Sequence, residues 1–167
     1  MRPLIVACLL AVAGCTAGSH AAALPAGQAT VVRVTDGDTI VVHLAAGDES
    51  IRLIGVDTPE EVKPDTPVEC FAREAAARTA ALLPVGTVVR LERDKEARDR
   101  YGRLLAYVTR MTDGLSVEAD LLRGGYATTL AISPNTTHAG DYEALVNAAR
   151  TAGIGLWGAC GGPHVVK

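Results

Sequence analysis

Three short apolar runs, separated by tight-turn signals, constrain the chain more than any other feature. Residues 30–35 (TVVRVT) and 39–44 (TIVVHL) are rich in β-branched side chains and flank Asp36-Gly37-Asp38. Asp-Gly readily supplies the positive φ that a hairpin turn needs. Ala46-Gly47-Asp48 makes a second turn, and residues 50–56 (SIRLIGV) make a third strand. Strands this close in sequence pair as an antiparallel meander.

The rest of the chain reads as a mixture. Residues 57–68 carry Pro59, Pro64 and Pro67 and are expected to be irregular. Residues 69–83 are Ala-rich and stop at Pro84 and Gly86, which predicts a helix. Residues 87–93 and 103–110 are expected as strands four and five, joined by a charged loop. Ser116 can cap a short helix over 117–123 that Gly124-Gly125 end. Residues 126–137 read as irregular. Thr137 can cap a last helix reaching Thr151, and residues 161–167 are expected to fray. The fold class implied is α+β, a five-stranded OB-type barrel with about three helices.

The N-terminus does not belong to that barrel. Arg2 precedes an apolar stretch of ten residues, 4–13. That is half of what spans a bilayer, roughly 20 residues, and it suits a secretory signal. Val12-Ala13-Gly14-Cys15 resembles a bacterial lipobox, in which the chain is cut before a cysteine that then receives a lipid. Residues 1–14 are therefore expected as signal peptide. Residues 15–29 would be lipid-attachment site and flexible tether, and 30–160 the folded domain. The chain would be held at the outer face of the cell membrane through Cys15; an ordinary signal peptide cut near Ala21-Ala22-Ala23, giving a soluble secreted protein, is the alternative. With Cys8 and Cys15 so assigned, Cys70 and Cys160 remain. An even pair in an oxidising compartment is expected as a disulfide, two free thiols being the alternative.

The formal net charge of −3 does not by itself suggest a nucleic-acid binder, but residues 90–110 carry a local excess of +3. Opposite in sign are Asp36 and Asp38 in the first turn and Asp57, Glu60 and Glu61 after strand three. Antiparallel pairing sets the start of strand two beside the end of strand three, so Asp38 and Asp57 can share a rim. Close carboxylates repel unless a cation intervenes, and oxygen donors favour Ca2+ or Mg2+ over zinc. Simple turn chemistry is the bland reading of Asp-x-Asp. Arg52 lies within an otherwise apolar strand, and Arg103 follows Tyr101-Gly102. Two arginines, two acids able to bind metal and a spare glutamate suit cleavage of a phosphodiester.

TDGDTI (35–40), IRLIGVDTPEE (51–61), RDRYGRLLAYV (98–108), LLRGGYA (121–127) and PNTTH (134–138) resemble, in order and spacing, the thermonuclease family of staphylococcal-nuclease-like domains. The resemblance implies an OB-fold nuclease that uses Ca2+ to cut single- and double-stranded DNA and RNA at the P–O5′ bond, leaving 3′-phosphate ends. By motif position it makes Asp38, Asp57 and the Thr58 carbonyl the metal ligands, with Asp36 behind them. Arg52 would bridge phosphate oxygens. Glu60 would be the general base or orient the water, and Arg103 would stabilise the transition state. Arg100 and Tyr101 would hold a terminal phosphate.

Two departures stand out. The family's best-known members carry tyrosines before the Pro-Asn motif, where a base stacks; here residues 128–133 (TTLAIS) have no aromatic, and Tyr126 is the nearest candidate. The Cys70 and Cys160 pair is also absent from those members. His43, His138 and His164 need not be catalytic, and the first two read as structural; Tyr107 reads as core and Glu61 as solvated. A non-catalytic nucleic-acid- or protein-binding module on the same fold is the alternative function.

Overall fold

The computed structural model describes residues 24–61 and 67–166. The signal peptide, Cys15 and the start of the tether lie outside the described residues. Strands β1 (Gln28–Asp36), β2 (Thr39–Leu44) and β3 (Gly47–Leu53) form the expected meander, with Asp36 opposite Thr39 and Thr39 opposite Arg52. Helix α1 (Ala72–Leu82) follows, and then β5 (Val88–Glu92) and β6 (Leu104–Arg110). The ring closes in the order β1-β2-β3-β6-β5. Only the β3–β6 pairing is parallel, Ile51 lying opposite Leu104. Parallel neighbours need a long connection, and α1 and β5 lie within it.

Alternation explains which side chains fill the ring. Val31, Ile40, Val42, Ile51, Leu53, Val89 and Val108 are buried to within 1% and join one core cluster. Each such side chain contributes roughly 1.5–3 kcal/mol by leaving water. Helix α2 (Val117–Arg123) adds Leu121 and Leu122 to that core, and α3 (Ala139–Thr151) adds Tyr142 and Val146. Ser116 caps α2 as expected, its hydroxyl accepting from the Ala119 N–H at 3.2 Å. A fourth helix, α4 (Leu156–Ala159), is a single turn.

Four local expectations are corrected. Strand three does not run to Val56. The chain leaves the barrel at Ile54 and starts β4 (Gly55–Asp57), which pairs with β7 (Thr128–Leu130) inside the stretch expected to be irregular. Gly55 makes this possible: its φ is 82°, and a Cβ there would stand 2.8 Å from the Tyr142 ring. Helix α1 starts at Ala72, not at residue 69, because Phe71 is left-handed (φ 72°) and Cys70 gives its N–H to the Val165 carbonyl at 2.7 Å. Thr137 does not cap α3; its N–H goes to Asp94 Oδ2 instead, and the helix starts at Ala139. Finally, residues 161–166 are docked rather than frayed, with a β-bridge between Glu69 and Val166 and a disulfide between Cys70 and Cys160.

Candidate active site

The rim of the barrel collects the acids as the meander requires. The Asp36-Gly37-Asp38 turn is anchored to α1 by Thr79, whose hydroxyl donates to the Gly37 carbonyl at 2.6 Å. The loop after β4 packs hard against it: a Cβ on Gly37 would lie 2.7 Å from Thr58 Oγ1. Thr58 is buried, and its N–H donates to Asp38 Oδ2 at 3.2 Å. The Thr58 backbone N–H thus ties the second acidic segment to the Asp38 carboxylate of the first.

Arg52 is the hub of this rim. Its Nη1 donates to the carbonyls of Leu53 and Val56, both at 2.8 Å. Its Nη2 stands 2.9 Å from Asp38 Oδ2 and 2.9 Å from Asp57 Oδ1. The awkward charge inside an apolar strand is therefore fully engaged. It ties the end of β3 to β4 and balances two carboxylates.

Arg52 does not offset all of the acidity of the rim. Burial, and then a hydrogen bond shared with Glu60, push the Asp36 carboxyl up to about 7. Burial also raises Asp57, against the opposing pull of Arg52. Asp36, Asp38, Asp57 and Glu60 together outnumber their cation, and so the site favours a positive ligand. Oxygen is the only donor type offered by Asp38, Asp57 and Thr58, which suits a hard divalent ion. Thr58 Oγ1 is in addition buried with no hydrogen-bond partner. Among the described residues no three His, Cys, Asp or Glu side chains already form a ligating group; Arg52 Nη2 stands between Asp38 and Asp57. A cation would have to displace that nitrogen from at least one of them.

Arg103 reaches the same rim from the charged loop. Asp99 fixes it, accepting from Nε at 2.7 Å and from the Arg103 N–H at 3.0 Å. Burial pushes the Asp99 carboxyl up, but these bonds outweigh it and leave it below its ordinary value. Arg103 Nη1 then points to Thr39 Oγ1 at 3.4 Å, and that hydroxyl donates to Asp38 Oδ1 at 3.0 Å. Tyr101 lies exposed beside it, with the Arg100 and Arg103 guanidinium carbons 4.8 and 5.5 Å from its ring centre.

A cavity of about 420 Å³ opens here, lined among others by Arg52, Arg100, Tyr101, Arg103, Leu130 and Ile132. It brings the expected phosphate-handling residues to one place. Tyr126 is not among them: it packs on Phe71, ring centres 5.6 Å apart. The stretch 128–133, which has no aromatic, contributes the aliphatic Leu130 and Ile132 to the cavity wall. Asn135 of the PNTTH run explains that motif, clamping Glu96 by its backbone N–H and carbonyl at 2.8 and 2.9 Å.

The structure also settles the bystanders. His138 stacks edge-on to Tyr107 with ring centres 4.5 Å apart, and His43 pairs with Asp48 at the surface. Two residues that touch the site, Asp99 and Glu69, are not singled out by the sequence, while His164 reads there as a histidine that need not be catalytic. The spacing of four between Asp99 and Arg103 was the only available signal for the first. His164 Nε2 lies 3.1 Å from Asp57 Oδ2, and its Nδ1 lies 2.8 Å from Glu69 Oε2.

A closed five-stranded barrel with acids and arginines gathered on one rim defines an OB-fold of the staphylococcal nuclease type. Comparison with known proteins agrees: residues 50–159 match the family model described as staphylococcal nuclease homologue, and the chain belongs to that family. It is 54% identical over 78 residues to a thermonuclease of Staphylococcus hyicus, which covers 47% of this chain and 46% of that protein. It is 40% identical over 127 residues to a thermonuclease of Staphylococcus intermedius, covering 76% and 74%. Endonuclease YncB of Bacillus subtilis (strain 168) is 37% identical over 134 residues, covering 79% of this chain and 62% of that protein. The chain thus spans about half the length of the first of these relatives and more of the other two.

Proposed function

We propose that this chain is a Ca2+-dependent nuclease that hydrolyses DNA and RNA at the P–O5′ bond. The observation that carries the reading is the single rim on which Arg52 holds Asp38 and Asp57 while Arg103 reaches Asp38 through Thr39. The nuclease names of the relatives support the reaction class, and the oxygen-only donor set supports a hard cation.

Asp38, Asp57 and the Thr58 carbonyl would hold the ion. When bound, Ca2+ would supply positive charge to the phosphoryl oxygens. Arg52 would exchange one carboxylate for a phosphate oxygen, a swap the guanidinium fork allows. Glu60 would orient the attacking water or take its proton as the water oxygen bonds to phosphorus. The P–O5′ bond then breaks, and the leaving oxygen takes a proton to become a 5′-hydroxyl. Arg103, pre-aimed by Asp99, would neutralise charge developing on the phosphoryl group. Arg100 and Tyr101, exposed beside the cavity, would engage a neighbouring phosphate.

Residues 1–15 are read as an export signal with a lipid on Cys15, and the Cys70–Cys160 disulfide is what an exported domain would carry. Cys15→Ala would then release the protein from cell membranes.

The test of the chemistry is cleavage of single-stranded DNA by purified protein, with and without Ca2+, beside Glu60→Ala and Arg103→Ala. Rates that fall in both variants are expected. Equal rates in all three proteins would sink the mechanism, and binding without any cleavage would return the non-catalytic module.

A further inference from the structure

The C-terminal residues 161–166 lie on the site, beyond residues 50–159 that the family model matches. Three fastenings hold them there. Cys160 is bonded to Cys70, the Val165 carbonyl accepts from the Cys70 N–H, and Val166 bridges to Glu69. Between these fastenings stands His164, with a left-handed φ of 56°. A side chain other than glycine rarely adopts that conformation, and such residues gather where a position is overdetermined by function.

What His164 touches gives the conformation a purpose. One ring nitrogen faces Asp57 Oδ2 at 3.1 Å and the other faces Glu69 Oε2 at 2.8 Å. The same Glu69 oxygen accepts the Glu60 N–H at 2.9 Å, and the Glu69 N–H donates to the Glu60 carbonyl at 3.0 Å. Both ends of the segment 57–60 are therefore gripped from one place. Asp57 is held by its carboxylate. Glu60 is held by its backbone, which leaves its carboxylate free for Asp36.

We propose that residues 161–166 are a clasp that positions Asp57 and Glu60, that His164 and Glu69 are its positioning residues, and that the Cys70–Cys160 disulfide keeps it shut. The functional part of this rests on the nuclease reading of Asp57 and Glu60. Nuclease activity is then redox-dependent: an external dithiol that exchanges with Cys70–Cys160, leaving two protein thiols and becoming a disulfide itself, loosens the clasp without removing any residue from the rim. Partners that orient metal ligands from behind typically change metal affinity or activity by roughly 10–100-fold when lost.

The test uses the whole protein in four forms: wild type, His164→Ala, His164→Gln and the double variant Cys70→Ser/Cys160→Ser. Two readouts separate the clasp from the reaction. In metal-free protein, amide hydrogen exchange at Glu60 should quicken in His164→Ala and in the double variant. In calorimetry, Ca2+ should bind His164→Ala about ten-fold more weakly. Its kcat should fall by a similar factor while KM for single-stranded DNA stays within about two-fold, and His164→Gln, which keeps a hydrogen-bonding amide, should recover part of the loss. Unchanged Glu60 exchange in both His164→Ala and the double variant would overturn the clasp. So would wild-type Ca2+ affinity and kcat in His164→Ala. A wild-type protein that neither binds Ca2+ nor cuts DNA would sink the nuclease reading instead, and Glu60 exchange would still decide the clasp.

Discussion

Arg52 Nη2 and Asp57 Oδ1 lie 2.9 Å apart, and the same nitrogen is 2.9 Å from Asp38. With the arginine side chain only 13% exposed, this is an internal counter-ion shared by the two carboxylates proposed to hold the metal. Removing one partner of such a buried group costs about 3–5 kcal/mol, because the other charges are left uncompensated. Arg52→Gln is therefore expected to be strongly destabilised in EDTA. Added Ca2+ should raise its Tm more than it raises that of wild type, since its two acids have lost their built-in cation. Equal Ca2+-induced shifts would contradict this view of Arg52.

On the proposed mechanism Asp99 aims Arg103, and it also accepts the Tyr101 N–H at 2.9 Å. Asp99→Ala frees the guanidinium that it grips at 2.7 Å. A fall in kcat on the order of ten-fold is expected, smaller than the roughly 100–1,000-fold loss for Arg103→Ala, which removes the charge itself. Steady-state kinetics on a short oligonucleotide would show the order. Asp99→Ala as damaging as Arg103→Ala would mean that Asp99 does more than aim its partner.

Glu118 predicts a pH dependence of stability. It is fully buried in the first turn of α2, accepting the Val108 N–H at 2.8 Å, and burial pushes its carboxyl up from 4.5 to about 8. Below pH 4.5 the folded and unfolded chains both hold the proton, and there is no penalty. Between pH 4.5 and about 8 the unfolded chain releases it while the folded one keeps it, so stability falls as pH rises through that window. Glu118→Gln keeps the shape and cannot ionise. It should match wild type at pH 4 and exceed it at pH 8, by on the order of 2–4 kcal/mol. Comparing the two proteins by urea denaturation separates Glu118 from Asp36, whose titration overlaps. Parallel stability curves would refute the assignment.

On the nuclease reading, the aliphatic wall of Leu130 and Ile132 is expected to limit base affinity. Ile132 is 60% exposed beside the cavity, where an aromatic ring could stack on a base. Stacking is worth roughly 1–3 kcal/mol per base, so Ile132→Tyr should tighten binding of single-stranded DNA about ten-fold or more in the Glu60→Ala background. An unchanged dissociation constant would show that bases do not lie against this wall.

The disulfide closes a long loop, its cysteines 90 residues apart. Cys70→Ser/Cys160→Ser is expected to lose about 2–4 kcal/mol in urea denaturation, largely by freeing the unfolded chain. A loss near zero would mean that the other contacts of residues 161–166 already hold the ends together.

Short-range physics was readable in the chain, and long-range physics was not. The meander and the Ser116 cap depend on neighbours within a few residues, and both are present; the first turn is present too, but Gly37 does not take the positive φ expected of Asp-Gly. Arg52 betrayed itself by violating its own apolar strand. Gly55 looked like part of that strand because its role, making room for Tyr142, depends on a helix that begins more than eighty residues later. Glu69 looked like helix because nothing nearby announces the strand-like bridge to Val166. His164 looked like tail because its partners are reached only once Cys160 has met Cys70. Recognisable motifs marked the acids and arginines, whereas the contacts that hold them still are spread across the sequence without local pattern.

The closure of β1 on β5, with Gln28 opposite Arg90, has a colloidal consequence. A sheet that ends on itself offers no row of unpaired amides for a second molecule to extend. Outside the ring, β4 and β7 pair over only three residues each, short for a template. Native copies should thus tolerate crowding without zipping into fibres. The hazard lies in a partly opened state in which β1 and β5 have parted, so conditions that loosen this one seam should govern aggregation more than protein concentration does.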